Sequence, residues 1–485
     1  MTLTGTSSAT TTTDSNGIYQ FSNLAAGSYT ITPSKAGCTF DPSGISVSVT
    51  NSNVTGQNFA VAAITWAKTY GSSSSDRARS IQQTSDSGFI VAGVTESFMA
   101  VNGDVWVLKL DGNGNIQWQK TYGGSGVDIA NSIQQTSDGG FVVAGETSSF
   151  GAGGADFWIL KLRSDGNIDW QRAYGGSGED VASSIQQTSD GGFIIAGETS
   201  SFGAGGADFW ILKLRSDGNI DWQRAYGGSG DDSARSTQQT ADGGFIVAGN
   251  TTSFDAGNSA IWVLKLNSNG DLIWEKTYGG ISTDDVANSV QQTSDGGYII
   301  AGGTISTTSV VGDVWVLKLD TNGVIQWQKT YGGANDDVAN SVQQTSDGGY
   351  IVAGGSSSFG HVLGDMWVFK LDSAGVIQWE KIYGGNQSNS VNFIRQTSDG
   401  GYILAGETSS FGEGSTDAWL LKLDGNGNIG SGCSVIGTSS ATVSSTGITA
   451  VDSSGTVNNT NATVTQTSVT PQDSTALIAT QCSSP

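Results

Sequence analysis

Residues 116–171 read IQWQKTYGGSGVDIANSIQQTSDGGFVVAGETSSFGAGGADFWILKLRSDGNIDWQ, and the stretch closes on itself, because the IxWxK that opens it returns at Ile168 to Arg172. The same tag recurs at Trp66, Trp118, Trp170, Trp222, Trp274, Trp327 and Trp379, about every 52 residues. A second tag, W-[VIL]-[LF]-K-L, marks Trp106, Trp158, Trp210, Trp262, Trp315, Trp367 and Trp419, so the two sets use all 14 tryptophans. A repeat of this length signals a solenoid, a propeller or an array. Within one unit, Ile116, Trp118, Lys120 and Tyr122 alternate onto one face, and three further short runs follow: ANSIQQT, FVVAG and FWILKL. Each is rich in β-branched or aromatic residues and bounded by Gly, Asp, Asn or Ser, which predicts strands. The Asp-Gly and Asn-Gly steps between them suit tight turns, since they accept positive φ. No proline falls between Val61 and Gly430 to interrupt a ladder.

Seven such units predict an all-β fold: a seven-bladed β-propeller of four-stranded blades over residues 61–430. A blade has two apolar faces and buries them only by stacking on neighbours, so ring closure removes the last two exposed faces. The final WxLKL strand is followed by Gly427 to Gly430 without a tryptophan, while an unmatched IxWxK stands at Ile64 to Lys68. Residues 64–71 are therefore expected to supply the outer repeat strand of the last blade and close the ring; an open spiral would leave that edge unpaired. Repeats of the form xWVLKLDxxGxIxW resemble the cell-surface β-propeller repeat proteins of bacteria and archaea, and more distantly pyrroloquinoline-quinone-like and kelch-like propellers. That resemblance implies a fold and an exterior setting, and hardly any specific function.

Residues 1–60 differ in character. The pattern D-x-x-G-x-Y-x-F-x-x-L-x-x-G-x-Y-x-I, from Asp14 to Ile31, resembles the carboxypeptidase-regulatory-like and Cna-B-like modules, which implies a prealbumin-like β-sandwich. The expected first strand of such a module is missing before Met1, so this is read as a partial module whose natural N-terminus, with any export signal, precedes the chain. Residues 431–485 are rich in Ser and Thr with weak alternation, and read as a small β-domain or a low-complexity stalk. Cys433 and Cys482 bracket that segment and form a disulfide candidate in an oxidising exterior; the alternative is that both, and Cys38, are reduced.

A net charge of −23 argues against nucleic acid and anionic membranes as partners, since no basic stripe is present to neutralise phosphates. No run of 18 apolar residues exists, so no membrane span is expected. Catalysis finds little material. His361 is the sole histidine and the propeller holds no cysteine, which leaves almost no material for Ser/His and Cys/His dyads or histidine-bound metals. Paired carboxylates remain, as in glycoside hydrolysis, but nothing singles out two.

Two periodic sets of carboxylates are the most suggestive chemistry. Asp104, Asp156, Asp208, Asp313, Asp365 and Asp417 precede the WxLKL tryptophans by two residues, with Ala260 breaking the set. Asp76, Asp128, Asp180, Asp232, Asp285 and Asp337 open the strand that ends in QQ, with Asn389 in the seventh place. Converging oxygens without histidine suit calcium; the competing reading is that each carboxylate caps its own turn. No other cofactor is expected. Function in a repeat ring is sought where the symmetry breaks. These places are the loops Glu96 to Gly103 with Phe98 and Met99, Phe254 to Ala260, Ile305 to Gly312, and Phe359 to Gly364 around His361, the residues Arg77, Arg79 and Arg235, and the Asn386 to Arg395 step, where Phe393 replaces a small residue. The reading that follows is a monomeric, exported ring without catalysis, binding a glycan or a protein on its loop face. A polysaccharide-acting enzyme and a purely structural surface component are the alternatives.

Overall fold

A computed structural model of the chain describes all residues except 15–16, 35–38, 63, 99–101, 255–257, 280–283, 306–310, 362, 431–434, 438, 446–450, 453–455, 460–462, 467–471, 474–476 and 484–485; side chains are undescribed for 39, 41, 60–62 and 442–483. The structure is all β and divides into two compact units, Met1–Thr65 and Trp66–Pro485. The division falls at 65/66 rather than the expected 60/61 because Ala60–Ala62 pairs with Thr39–Asp41 in the first unit. The rest of that unit is a four-stranded antiparallel sheet, ordered Ala9–Thr10, Thr2–Gly5, Gly27–Thr32, Ile45–Val49. Leu3, Tyr29 and Ile31 form its core, with Tyr19, Phe21 and Leu24 packed against them.

The second unit contains, among the described residues, seven five-stranded sheets. Blade 2 shows the plan. Its inner strand is Asp128–Gln135, followed outward by Phe141–Thr147, Asp156–Leu162 and Ile168–Gly175. Blades are numbered from Asp76, and the seventh takes its fourth strand, Trp66–Gly71, from the other end of the repeat region. The turns are built as the repeat requires. Gly139 in the first hairpin has φ 81°, and Gly166 in the third has φ 77°. A Cβ at Gly166 would also lie 2.8 Å from the Trp118 ring of the preceding blade, so glycine is needed there twice over.

Each blade is stapled to the next by aromatic residues. Trp118 meets Phe141 edge-on at 5.9 Å, its Nε1 donates to Ser164 O at 3.1 Å, and Trp158 is buried within the sheet stack. Both tryptophan sets thus serve blade packing. Along the inner rim, Asn131 Nδ2 donates to Ala182 O at 2.9 Å, and Ser137 N donates to Gln187 Oε1 at 2.8 Å. The same two bonds run from Asn392 to Ala78 O and from Ser398 to Gln83 Oε1, so these rim bonds also join blade 7 to blade 1.

The Ser/Thr-rich segment was expected to stand apart as residues 431–485; its described strands instead join the ring. Ile436–Gly437, Thr442–Ser445, Val451–Asp452, Thr456–Asn459, Thr463–Gln466, Gln472–Asp473 and Leu477–Ser483 add the fifth strand to blades 6, 5, 4, 3, 2, 1 and 7 in turn. The segment therefore runs backwards around the outside of the ring. The physical reason is backbone pairing: each fourth strand leaves a row of N–H and C=O groups at its edge, and almost any extended chain without proline can satisfy them. Cys433 lies outside the described residues. Cys482 lies in the last of these strands, and its side chain is not described, so the disulfide candidate lies outside them too.

Candidate functional site

The seven inner strands line a central channel. Each carries a bulge that falls between Ala130 and Ser132 in blade 2. A bulge places two adjacent residues on one face, so Asn131 and Ser132 both line the channel, followed by Gln134. In six blades these side chains tie the ring together. Ser132 Oγ accepts from Ile185 N at 3.3 Å, and Gln134 Oε1 accepts from Gln187 N at 2.6 Å. Blade 7 departs from this, with Phe393 in place of the serine and Arg395 in place of the glutamine. The Arg395 guanidinium lies 4.5 Å from the Phe393 ring centre. Arg79 and Arg235 occupy the asparagine position in blades 1 and 4, and both line the same cavity of about 230 Å³. Arg79 donates to Asn131 Oδ1 at 3.2 Å. Arg77, two residues earlier in the same strand, does not line this cavity and pairs with Glu407 at 3.0 Å.

At the loop end of the ring a cleft of about 500 Å³ spans blades 5 to 7. Its cause is readable in the second strands. Glu146, Glu198 and Glu407 occupy the residue before the terminal Thr in three blades, and blades 5 and 6 have Gly303 and Gly355 there. A Cβ at Gly355 would meet nothing within 4 Å. The missing side chains leave a hollow lined by Val286, Ile305, Val338 and Leu363. Ile305 is 39% exposed and Leu363 57% exposed, and Asp284 and Asp336 stand exposed beside them.

The two aspartate sets meet at the blade junctions on this same end. Asp128 Oδ2 accepts from Gly124 N at 2.8 Å and Ser149 Oγ at 2.6 Å. Asp180 and Asp337 repeat this with Gly176 and Ser201 and with Gly333 and Ser358. Asp156 and Asp208 accept from Ala152 N and Ala204 N, both at 2.8 Å. The capping role is thus visible at each of these sites. The sets also face one another. A Cβ at Gly175 would collide with Asp156 Oδ1 and lie 2.7 Å from Asp180 Oδ2; Gly332 stands likewise between Asp313 and Asp337. Burial first, then the neighbouring carboxylates, raise Asp156 to about 7; burial and Asp232 do the same for Asp208. Burial and Asp128 bring Asp104 to about 6. Burial and the charge of Asp337 raise Asp313 as well. Asp285 is buried at the corresponding place opposite Ala260. Asp365 is the exception in partner: Asn389 Nδ2 donates to its Oδ1 at 2.9 Å. No group of three or more metal-binding side chains occurs among the described residues.

The remaining symmetry-breaking residues scatter. Phe98 packs on Trp106 at 5.7 Å, as Phe150, Phe202, Phe254, Phe359 and Phe411 pack on the tryptophans of their blades. It belongs to the repeat's own packing and reaches neither channel nor cleft. Met99 lies outside the described residues. His361 is an exposed side chain whose backbone N–H donates to Asp365 Oδ2 at 2.8 Å. Sequence reasoning singled out Arg77, Arg79, Arg235 and Phe393, and the structure brings three of these to one channel with Arg395. It passed over Gly303 and Gly355, and it marked Arg395 only as the end of the Asn386 to Arg395 step. The glycines were legible as a break in the E-T series; the arginine was legible as a break in QQ.

Residues 2–63 match the family described as BOS complex subunit NOMO1-like, second beta sandwich domain, and residues 136–169 match a beta-propeller domain of unknown function, DUF5122. The chain is thus a propeller preceded by a β-sandwich. No curated protein gave a significant match. Among solved structures, Sqt1 from Chaetomium thermophilum is 14% identical over 70% of this chain and 81% of its own, with a TM-score of 0.41. The same protein bound to the N-terminus of ribosomal protein L10 is 14% identical, covering 73% and 98%, with a TM-score of 0.42. The extracellular domain of a hybrid two component system from B. thetaiotaomicron is 11% identical, covering 71% and 51%, at 0.29. The strand pairing itself, not these distant likenesses, defines the ring.

Proposed function

We propose that the protein is a non-catalytic binding scaffold of the cell exterior, and that the cleft across blades 5 to 7 is where its loop face takes a partner. One observation carries this reading: Gly303 and Gly355 stand where other blades have a side chain, opening an aliphatic hollow on the loop face. Apolar clefts with a polar rim are the usual form of a recognition site. The lining favours a protein segment over a glycan, since sugars are commonly gripped by exposed aromatic faces and Val286, Ile305, Val338 and Leu363 present none. Asp284 and Asp336 favour a basic residue beside the apolar anchor. Binding in this reading needs no cofactor and no chemical step. The exterior setting rests on the resemblance of the repeats to surface propellers.

The test is to pan the full chain against a random peptide library and a glycan array, each with calcium and with a chelator. Peptides with an aliphatic anchor flanked by Lys or Arg are expected, independent of calcium. Gly355→Glu restores the residue of other blades into open space; it should leave the melting temperature unchanged and weaken binding by about tenfold or more, near 1.4 kcal/mol. A glycan selected in its place, or binding indifferent to Gly355→Glu, would remove the cleft from the account.

A further inference from the structure

The central channel carries a second feature, independent of the cleft. Three of the 21 Lys and Arg residues of an acidic chain point into it, and none of the residues lining the cavity is a carboxylate. In blades 1 to 6 the inner-strand serine and glutamine each accept an N–H from the following blade, as Ser80 does from Ile133 and Gln82 from Gln135. Neither Phe393 nor a guanidinium can accept a hydrogen bond, so blade 7 gives no equivalent bonds to Ile81 and Gln83. Two inter-blade hydrogen bonds are thus exchanged for a cation on an aromatic ring. Arg79, on the adjoining blade, is bonded to Asn131 and balanced in part by the charges of Glu407 and Glu146. The Arg395 side chain has no hydrogen-bond or ion-pair partner among the described residues. Burial pushes its guanidinium down to about 10, with no opposing carboxylate to hold it up. A half-buried guanidinium with five donors and no acceptor is costly unless an anion completes it.

We infer that the channel between blades 7 and 1 is an oxyanion site, in which Arg395 and Arg79 bind a small ligand bearing two or more negative charges, with Arg235 facing it from blade 4. The cavity of about 230 Å³ admits phosphate, sulfate or a small polycarboxylate, or a group of that kind on a larger molecule. Phe393 lines the same cavity, and its ring packs against the Arg395 guanidinium. The acidic exterior gives selectivity, because bulk repulsion is overcome only by a ligand that engages several guanidinium groups at once.

Sodium phosphate, sulfate and citrate, titrated into the full chain at matched ionic strength against sodium chloride, test this by the rise in melting temperature that a native-state ligand causes. At least one is expected to stabilise saturably. A preference for phosphate and sulfate identifies a tetrahedral group, and a preference for citrate a polycarboxylate. Arg395→Gln rebuilds the residue of the other six blades and its bond to Gln83, so the variant should fold and bind about tenfold or more weakly. Arg79→Asn, the residue of four other blades, serves as the second variant and should weaken binding similarly. The inference is overturned if none of the three anions stabilises beyond chloride, or if both variants respond as the parent does. Gly355→Glu leaves this response unchanged, which keeps the two sites separable.

Discussion

At one end of the ring Asp138 stands mostly exposed in the Ser137–Gly140 turn and holds the buried Lys161 ammonium at 2.8 Å; at the other, Asp156 is 1% exposed and faces Asp180 with no cation between them. Both aspartates recur in most blades. Burial alone would raise Asp138, but hydrogen bonds from Lys161, Thr136 and Gly140 and the lysine's charge take it down to about 2. Asp156 has one backbone donor against burial and its neighbours' charges, and it stands at about 7. Periodicity therefore says that a carboxylate is structural without saying whether it carries a proton. The blade 6–7 junction shows what a loop-face pair needs. There Asn389 donates to Asp365, as a protonated aspartic acid would donate to a carboxylate. The Asp156–Asp180 and Asp208–Asp232 junctions are each read as a pair sharing one proton near neutral pH.

The largest expected effect is on stability against pH, and the two ends act in opposite windows. Asp156 and Asp208 are raised, so between about pH 4 and 7 the folded chain binds more protons than the unfolded one, and stability falls as pH rises through that window. Each such site contributes about 1.4 kcal/mol per pH unit, so several kcal/mol are expected in urea melts. The lysine-paired set, Asp86, Asp138, Asp190, Asp242 and Asp347, stands at about 2. Its stabilisation is present above about pH 4 and is lost as pH falls toward 2. Stability that stays flat or rises from pH 4 to 7 would break the comparison.

A smaller effect sharpens it at one junction. Asn389→Asp adds a carboxylate facing Asp365 and should cost about 2 kcal/mol at pH 8, and little at pH 4.5 where the pair holds its proton. Asp180→Asn should act with the opposite sign at pH 8. Equal effects at both pH values for these variants, read from denaturant midpoints, would mean that packing and not charge separates Asn from Asp. The smallest effect belongs to the other end. Lys161→Met removes the cation from Asp138 and a donor from Leu162 O, with an expected cost of about 1–2 kcal/mol. It should also raise the Asp138 pKa toward the ordinary range, which carbon-detected NMR titration would read directly.

Much of this was legible before any coordinates. The strand runs, the turns at Gly139 and Gly166 and the ring partner at Trp66 follow from alternation, from residues that accept positive φ, and from counting tags. The asymmetry at Phe393 was legible as well, since one serine is missing from an otherwise regular column. Phe98 misled because its neighbours in sequence differ from those of Phe150, while its contact, a tryptophan of the same blade, does not. Residues 436–483 gave weak alternation because their pairing runs through backbone groups at the rim, which ask little of side-chain type.

What the sequence determined by itself is the content of a blade and the number of repeats, because alternation, turn chemistry and periodicity are local properties of a few consecutive residues. The tertiary structure alone decided which aspartates are buried against one another, that three arginines from blades 1, 4 and 7 share one channel, that two glycines open a cleft, and where the C-terminal strands lie. Each of those depends on groups brought together from different blades or from the far end of the repeat region, and for the ionisable residues the burial and charge so imposed set the chemistry.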